Sequence, residues 1–141
     1  MRRSAFTIIE LIFVIFLLGV LSAVAIVKMG GMSDRAQQVQ LKAFVGTLNR
    51  TSGAGFWFRS MEDGQDGNIS NSAYNATIDQ YIELIAGYST GPSFENCNSS
   101  GNGVFLTYPF AVSYEVHCRN GSRSESPRFR LYDATNSVYI D

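Results

Sequence analysis

The longest run of apolar residues lies near the N-terminus of the chain. Residues 11–27 contain no charged side chain, and residues 6–9 extend the hydrophobic stretch to about 20 residues, with Glu10 as its one charged residue. A helix of this length, at a rise of about 1.5 Å per residue, crosses the hydrocarbon core of a bilayer. The pattern therefore predicts a membrane-spanning helix over 6–27.

Basic residues flank this run, with Arg2 and Arg3 before it and Lys28 after it. Positive charge next to a span favours the cytoplasmic side, so the N-terminus is predicted to be cytoplasmic and the bulk of the chain to lie across the membrane. An Ala-x-Ala motif at 23–25 keeps open the alternative of a secretion signal that is removed entirely. Glu10 argues against that alternative, because a carboxylate inside an apolar span is costly and usually has a function or a partner.

A helical apolar period resumes after the glycine pair at 30–31. Ser33 and Asp34 suit the start of a new helical stretch. Two apolar lines follow at helical spacing: Met32, Ala36, Val39 and Ala43 form one, and Leu41, Phe44, Val45 and Leu48 form the other. We predict an amphipathic helix extension over 28–60 that packs its apolar side on a sheet. The helix is expected to fade at the glycines of 53–55, and the aromatic residues 56–58 are expected to enter the core.

The remainder, 61–141, is predicted to be a globular head. A polar loop over 62–72, a short helix over 79–86 and a Gly/Ser/Asn-rich loop over 87–103 precede strands at 104–108, 111–118 and 128–133, with a short edge strand at 137–140. In the second strand the apolar residues of 112–118 alternate with Ser113, Glu115, His117 and Arg119. Asn120 and Gly121 are a hairpin-turn signal, although the next strand starts several residues later. The predicted fold class is α+β, with a long N-terminal transmembrane and amphipathic helix packed on a small antiparallel C-terminal sheet.

Charge and cysteine content bear on the partners and on the disulfides of the protein. Charged residues make up 16% of the chain and the net charge is −1, so no nucleic-acid partner is predicted. Removing Arg2 and Arg3 leaves nine basic residues against twelve acidic ones, a net charge of −3. Cys97 and Cys118 form an even pair, which in an exported chain predicts one disulfide, with two free buried thiols as the alternative.

Catalytic and metal-binding patterns are absent or weak. The one histidine, His117, falls on the polar side of a strand and is expected to be an ordinary surface residue. No nucleophile–base arrangement or zinc ligand set can be assembled around it. Glu62, Asp63 and Asp66 lie in a glycine-rich loop and are weak calcium candidates, although their spacing does not fit an EF-hand. Five Asn-x-Ser/Thr triplets begin at Asn49, Asn68, Asn75, Asn98 and Asn120, and we expect them to be accidents of an Asn/Ser-rich chain.

The N-terminal motif carries a family resemblance. Residues 5–11 read Ala-Phe-Thr-Ile-Ile-Glu-Leu, after Arg-Arg-Ser at 2–4 and before the apolar helix. This resembles the cleavage and methylation signal of type IV prepilins and type II secretion pseudopilins, which have a short basic leader, a small residue at the cut and then Phe-Thr-Leu-Ile-Glu-Leu. The resemblance covers about the first 30 residues of the chain.

The resemblance implies a processing route. A prepilin peptidase would cut between Ala5 and Phe6 on the cytoplasmic side and N-methylate Phe6. Glu10 would then be the fifth residue of the mature chain and pair with the new amine of a neighbouring subunit, which neutralises two groups that are costly in an apolar filament core. The implied partners are the peptidase, other pilin or pseudopilin subunits, an assembly platform with its ATPase, and the inner membrane. A Cys97–Cys118 bond would resemble the disulfide-bounded C-terminal region of many type IV pilins.

Two positions depart from the family pattern. Ala5 stands where the family usually has Gly, and it is small enough to be tolerated at the cut. Val27 stands where the family commonly has a helix-loosening Pro, so the glycines at 30–31 are the nearest source of flexibility.

These observations predict four regions: a leader over 1–5, a filament-core helix over 6–27, a helix extension over 28–60 and a head over 61–141. The predicted function is a structural subunit of a type IV pilus or a type II secretion pseudopilus, not an enzyme and without a cofactor unless calcium binds. The alternative is an anchored or secreted enzyme or binding module that uses 1–27 only for export.

Overall fold

The computed structural model describes residues 7–110 and 112–140, apart from the side chains of residues 24–32. The helical elements are α1 (Ile8–Thr47), a π-helical turn (Leu48–Ser52), α2 (Gly53–Glu62), α3 (Ser72–Asn75) and α4 (Ile78–Tyr81). The strands are β1 (Gly103–Pro109), β2 (Ser113–Arg119), β3 (Arg128–Asp133) and β4 (Val138–Ile140). The chain divides into two compact units, Met1–Ala36 and Gln37–Asp141. The predicted α+β class with a small antiparallel sheet is confirmed.

In the first unit the apolar run is helical from Ile8 onward. The helix begins where the Thr7 carbonyl accepts hydrogen bonds from the backbone N–H groups of Glu10, at 3.1 Å, and Leu11, at 3.3 Å. Within 7–110 and 112–140, no helix has the length and mean hydropathy of a membrane-crossing segment. Phe6 and the side chains of residues 24–27, which belong to the predicted span over 6–27, lie outside the described residues.

In the second unit, one of the two predicted apolar lines forms the helical side of the core. Leu41, Phe44, Val45 and Leu48 are buried and cluster with residues of the sheet. Of the other line, Ala36, Val39 and Ala43 are exposed, and Val39 keeps 65% of its surface accessible. The predicted amphipathic character is therefore confirmed, with a single buried stripe.

The predicted helix end at 53–55 is wrong, because α2 begins at Gly53 and continues to Glu62. The Gly53 N–H donates to the carbonyl of Leu48, five residues earlier, which makes the π-helical turn. A Cβ at Gly53 would come within 2.8 Å of that carbonyl oxygen and 3.3 Å of the Phe129 ring. Glycine is required here for a close approach to β3, and it does not terminate the helix.

The π-helical turn also presents Asn49 to the edge of the sheet. Its side-chain Nδ2 donates to the Phe129 carbonyl at 2.9 Å, and its Oδ1 accepts from the Phe129 N–H at 2.8 Å. β4 pairs with β3 only from Leu131 onward, so Phe129 has no strand on that side. The Asn49 amide takes the place of the missing strand at this position and joins the helix to the sheet.

The predicted helix over 79–86 is only partly correct. α4 ends at Tyr81, and Ile82 adopts an extended conformation with φ −129° and ψ 115°. The carbonyl of Tyr81 accepts from the Ser52 hydroxyl at 3.0 Å, and that of Ile85 accepts from the Tyr108 hydroxyl at 3.1 Å. These side chains of the core satisfy the segment's carbonyls, so helical hydrogen bonds are not needed there.

The sheet is an antiparallel meander in the order β1-β2-β3-β4. Its strands agree with the four predicted ones, although residue 111 of the second lies outside the described residues. Residues 114, 116 and 118 of β2 are buried on the side of the helices, as the alternation predicts. A bulge interrupts the pairing of β1 with β2 between Val104 and Leu106.

β2 and β3 form a hairpin, but Asn120 and Gly121 do not form a two-residue turn, because residues 120–127 all separate the strands. This connection is held by α2 and by the loop that follows it. Arg123 donates two hydrogen bonds to Asp66, at 2.8 and 2.9 Å, and the Trp57 indole donates to the carbonyl of Ser122 at 2.7 Å. The Arg123 guanidinium lowers the pKa of Asp66 below its ordinary value.

An aromatic cluster fills the space between α2, the 93–97 loop and the sheet. Four phenylalanine rings contact each other here, and the centroids of the contacting rings are 4.6 to 6.4 Å apart. The contacting pairs are Phe56–Phe94, Phe94–Phe105, Phe94–Phe129 and Phe105–Phe129. The predicted entry of residues 56–58 into the core holds for Phe56, whereas Phe58 is 67% exposed. These four rings form a contiguous aromatic part of the core.

Candidate assembly surface

Glu10 lies in the first turn of α1 and is bonded to the residue that precedes the helix. Its Oε2 accepts hydrogen bonds from the backbone N–H and from the hydroxyl of Thr7, both at 3.4 Å. The Glu10 carboxylate reaches back to the Thr7 N–H as in a capping box, but the Glu10 N–H donates to the Thr7 carbonyl and not to its hydroxyl, so the reciprocal half of the box is not formed. Both side-chain distances are near the upper limit for hydrogen bonds, so the carboxylate is weakly held and can accept a stronger cationic donor.

The described part of the N-terminal helix is apolar on all sides. Twelve large apolar side chains are exposed, each with 43% to 79% of its surface accessible: Ile8, Ile9, Leu11, Ile12, Phe13, Val14, Ile15, Phe16, Leu17, Leu18, Val20 and Leu21. Because these positions are nearly consecutive, they surround the helix and do not form a stripe. A continuous apolar surface of this kind is typical of a helix that is covered by lipid or by other protein chains.

The polar atoms of this segment are mostly satisfied within it. The Ser22 hydroxyl donates to the Leu18 carbonyl at 2.7 Å, and Gly19 has no atom within 4 Å of the place where a Cβ would lie. The predicted cleavage and methylation positions, Ala5 and Phe6, lie outside the described residues. Glu10 is thus the charged group of the assembly motif that the structure describes.

The predicted disulfide joins Cys97 to Cys118, and both residues are buried. It attaches the long loop before β1 to the end of β2, and the adjoining Asn120 side chain donates to the Cys97 carbonyl at 3.0 Å. Closing a loop of 21 residues stabilises the head by about 3 kcal/mol in the chain-entropy model. The predicted pairing is confirmed.

The calcium candidates have other partners. Asp66 binds Arg123, and Asp63 accepts a hydrogen bond from the Tyr74 hydroxyl at 2.9 Å and lies 3.9 Å from Arg59. Burial and the bond to Asp63 together raise the pKa of Tyr74 to about 12, so the hydroxyl stays a donor at physiological pH. Within the described ranges, no three carboxylate, histidine or cysteine side chains are grouped as metal ligands. Glu62, Asp63 and Asp66 are therefore not brought together around a cation.

The prediction that His117 is a surface residue is wrong. It keeps only 6% of its surface exposed, with Nε2 2.9 Å from Glu115 Oε2 and Nδ1 3.0 Å from the Tyr139 hydroxyl. The Tyr132 ring stacks on the imidazole with centroids 4.6 Å apart. The alternation correctly placed His117 on the face opposite the core, but tyrosines from β3 and β4 cover that face.

Four of the five Asn-x-Ser/Thr asparagines use their amides inside the fold. Asn49 bonds to Phe129, Asn75 accepts from the Phe94 N–H, Asn98 accepts from the Gly101 N–H, and Asn120 donates to Cys97. These amides are engaged in turns and loop contacts, which gives the triplets a structural reason. Asn68 is exposed, and its Oδ1 accepts from the Ser70 N–H.

Sequence reasoning missed a cluster of arginines on the outer face of the sheet. The register places Arg119 of β2 directly opposite Arg128 of β3, and His117 opposite Arg130. The alternation of polar residues in 113–119 and 128–132 was the available signal, but the pairing register could not be read from it. Comparison of the chain with protein-family models, with curated proteins and with solved structures finds no match.

Proposed function

We propose that this chain is a structural subunit of the type IV pilin and type II pseudopilin class, which assembles into a filament through its N-terminal helix. The observation that carries the proposal is the apolar helix surface that surrounds residues 8–21, together with a single carboxylate, Glu10, in its first turn. The motif at 5–11 supplies the processing signal that such a subunit needs. The α+β head with its Cys97–Cys118 disulfide agrees with the same class.

The exposed helix surface strongly favours leaving water, either for a bilayer or for other helices. Fully burying a large apolar side chain stabilises a complex by roughly 1.5–3 kcal/mol relative to water, so twelve half-exposed ones are worth on the order of 10 kcal/mol. In a membrane, lipid tails cover the same surface about as well as protein does. Apolar contacts therefore contribute nearly the same free energy in the bilayer and in a filament core. Polar groups determine which of the two environments the helix prefers.

Glu10 is the polar group that favours the filament. Hydrolysis of the Ala5–Phe6 peptide bond creates an amine at Phe6, and a carboxylate and an ammonium that are both costly in apolar surroundings stabilise each other when they meet. The weak 3.4 Å bonds to Thr7 leave the carboxylate open to this stronger partner. Pairing between different copies requires a stagger of the helices, which fixes the register of the assembly.

The processing route follows from this proposal. The subunit waits in the bacterial inner membrane as a single-pass protein, with the N-terminus in the cytoplasm and the head outside it, where the disulfide is stable. A prepilin peptidase removes 1–5 and methylates Phe6. The assembly platform and its ATPase then draw the subunit into a pilus or a periplasmic pseudopilus.

Co-expression with a prepilin peptidase tests the proposal. The expected product lacks residues 1–5 and carries about 14 Da of added mass on Phe6, measured by intact-mass and N-terminal fragment spectrometry. An inactive peptidase is the control and should leave the chain uncut. Cleavage after residue 25, or no cleavage with the active enzyme, would refute the proposal and favour a domain that uses 1–27 only for export.

A second experiment separates processing from assembly. Glu10→Gln should be cut and methylated normally but fail to enter filaments, because the amide cannot pair as an anion with the Phe6 amine. Glu62→Gln, which removes one exposed carboxylate of the head, is the matched control and should assemble. Normal incorporation of the Glu10→Gln subunit into sheared or periplasmic filaments would contradict the role of the carboxylate.

A further inference from the structure

A cavity of about 270 Å³ opens on the face of the sheet opposite the core. It is lined by Ser100, Gly101, Arg119, Arg128, Arg130 and Tyr139. No acidic side chain is among these lining residues, although the described head as a whole contains more acidic than basic groups. The cavity is therefore a local concentration of hydrogen-bond donors and positive charge.

The pairing register forces the arginines together. Arg119 and Arg128 are direct cross-strand partners, and Arg130 lies one same-face position further along β3. Like charges directly opposite each other destabilise an antiparallel pair. An anion placed between the two arginines would remove this repulsion.

The chain itself supplies only part of that compensation. Glu125 accepts from Arg119 Nη2 at 2.8 Å, but Glu125 is 65% exposed, and Arg119 Nε is buried with no hydrogen-bond partner. Among the described residues of this face, Glu115 also carries a carboxylate, and it is engaged by His117. The Arg130 guanidinium lies 4.0 Å above the centre of the Tyr139 ring, which holds it at the rim of the cavity. An unsatisfied buried donor beside several guanidinium groups is a feature that calls for a ligand or an ion.

We propose that this cavity binds an oxyanion of the phosphate class, held by Arg119 and Arg128 with support from Arg130. The planar guanidinium fork donates two parallel hydrogen bonds to phosphate oxygens, and an anion between the paired strands removes the like-charge repulsion. At about 30 Å³ for each water molecule, the cavity has room for about nine waters. It can therefore take inorganic phosphate or a phosphate monoester with a small substituent.

The test is a titration of the full-length chain in a nonionic maltoside detergent with inorganic phosphate, at constant ionic strength set by chloride. Binding is followed by calorimetry and by the arginine Nε–H signals in nitrogen–proton NMR spectra. We expect saturable binding with a shift of the Arg119 Nε–H signal. A parallel titration with glycerol 3-phosphate distinguishes a site for esterified phosphate, if it binds tighter, from a site for the free ion.

Variants make the test specific. Arg128→Gln should weaken phosphate binding by about tenfold or more, and Arg128→Lys, which keeps the charge but loses the fork, should weaken it less. Arg50→Gln removes the same charge outside the cavity and should bind like the parent chain. Glu125→Gln should bind several-fold tighter, because it frees Arg119 from its competing carboxylate.

Four results would overturn the proposal. One is the absence of saturable binding, and another is an equal loss in Arg128→Gln and Arg50→Gln, which would indicate bulk charge alone. The third is a failure of Glu125→Gln to bind tighter. Because Asp141 directly follows Ile140, the titration is repeated with Asp141→Asn. Phosphate binding seen only in that variant would also overturn the proposal, since the Asp141 side chain would then compete with phosphate for the arginines.

Discussion

Gly53 and Gly55 lie two positions apart at the start of α2, and replacement by alanine should change stability in opposite directions at the two sites. A Cβ at Gly55 would have no other atom within 4 Å, and this residue is exposed. Alanine is favoured over glycine in a helix by about 1 kcal/mol, because glycine loses more backbone entropy on folding. Gly55→Ala should therefore raise the free energy of unfolding by roughly that amount.

At Gly53 the same gain is outweighed by steric overlap. The new Cβ would lie 2.8 Å from the Leu48 carbonyl oxygen, 3.3 Å from a ring carbon of Phe129 and 3.6 Å from the Pro127 carbonyl oxygen. Two of these neighbours are backbone or strand-anchored groups that cannot move without disturbing the π-helical turn. Forced overpacking costs about 1–3 kcal/mol, so after the helix gain of about 1 kcal/mol the net effect of Gly53→Ala should be a loss of up to about 2 kcal/mol.

The assay is thermal unfolding of the full-length protein in detergent, followed by circular dichroism. For a head of about 100 residues, 1 kcal/mol corresponds to a shift in Tm of about 4–8 °C. Gly55→Ala should melt several degrees above the parent and Gly53→Ala several degrees below it. If Gly53→Ala is as stable as Gly55→Ala, the close approach of the helix to β3 does not constrain this position, and the explanation of the π-helical turn is wrong.

Three further predictions concern the head. Asn49→Ala leaves a backbone N–H and a carbonyl of β3 without partners, so it should lower the free energy of unfolding by about 2 kcal/mol, measured by denaturant titration. The control variant Asn68→Ala should change this free energy by less than about 0.5 kcal/mol. Equal effects of the two substitutions would contradict the edge role of Asn49. Reduction of the Cys97–Cys118 bond should cost about 3 kcal/mol in the same measurement, and a Cys97→Ser/Cys118→Ser double variant should show the same loss and no further response to reductant. The Asn136 side chain lowers the pKa of Asp133, so this carboxylate stabilises the fold above pH 3.8 and loses that contribution as the pH falls through its depressed pKa. Asp133→Asn should therefore be less stable than the parent at pH 7 and converge with it near pH 2, and a constant difference across this range would refute the assignment.

The regular elements could be predicted because each depends on local periodicity. The 3.6-residue spacing of Leu41, Val45 and Leu48 and the alternation in β2 both reflect one face packed on the core. Gly53 misled the sequence analysis, because glycine is both a frequent helix terminator and the residue that permits close packing. Only the position of Phe129, 76 residues later in the chain, distinguishes the two roles.

The candidate sites also include some that local sequence identifies and others that depend on the tertiary structure. Glu10, Ala5 and Phe6 are identified by a contiguous motif, which needs no tertiary information. The burial of His117 and the facing of Arg119 and Arg128 depend on the register between β2 and β3. That register is set by the loop over 120–127, whose length and contacts with Asp66 and Trp57 have no simple signature in the sequence.

Both edge strands of the sheet are protected from pairing with another copy of the chain. Along β1, the N–H groups of Ser89 and Ser93 donate to the carbonyls of Thr107 and Phe105, and Thr90 bridges to Thr107. On the other margin, β4 is only three residues long. Open strand edges invite intermolecular β-pairing, and short or covered edges suppress it. In the proposed filament, heads held close together by their helices can therefore stay individually folded, without the strand exchange that turns crowded β-proteins into aggregates.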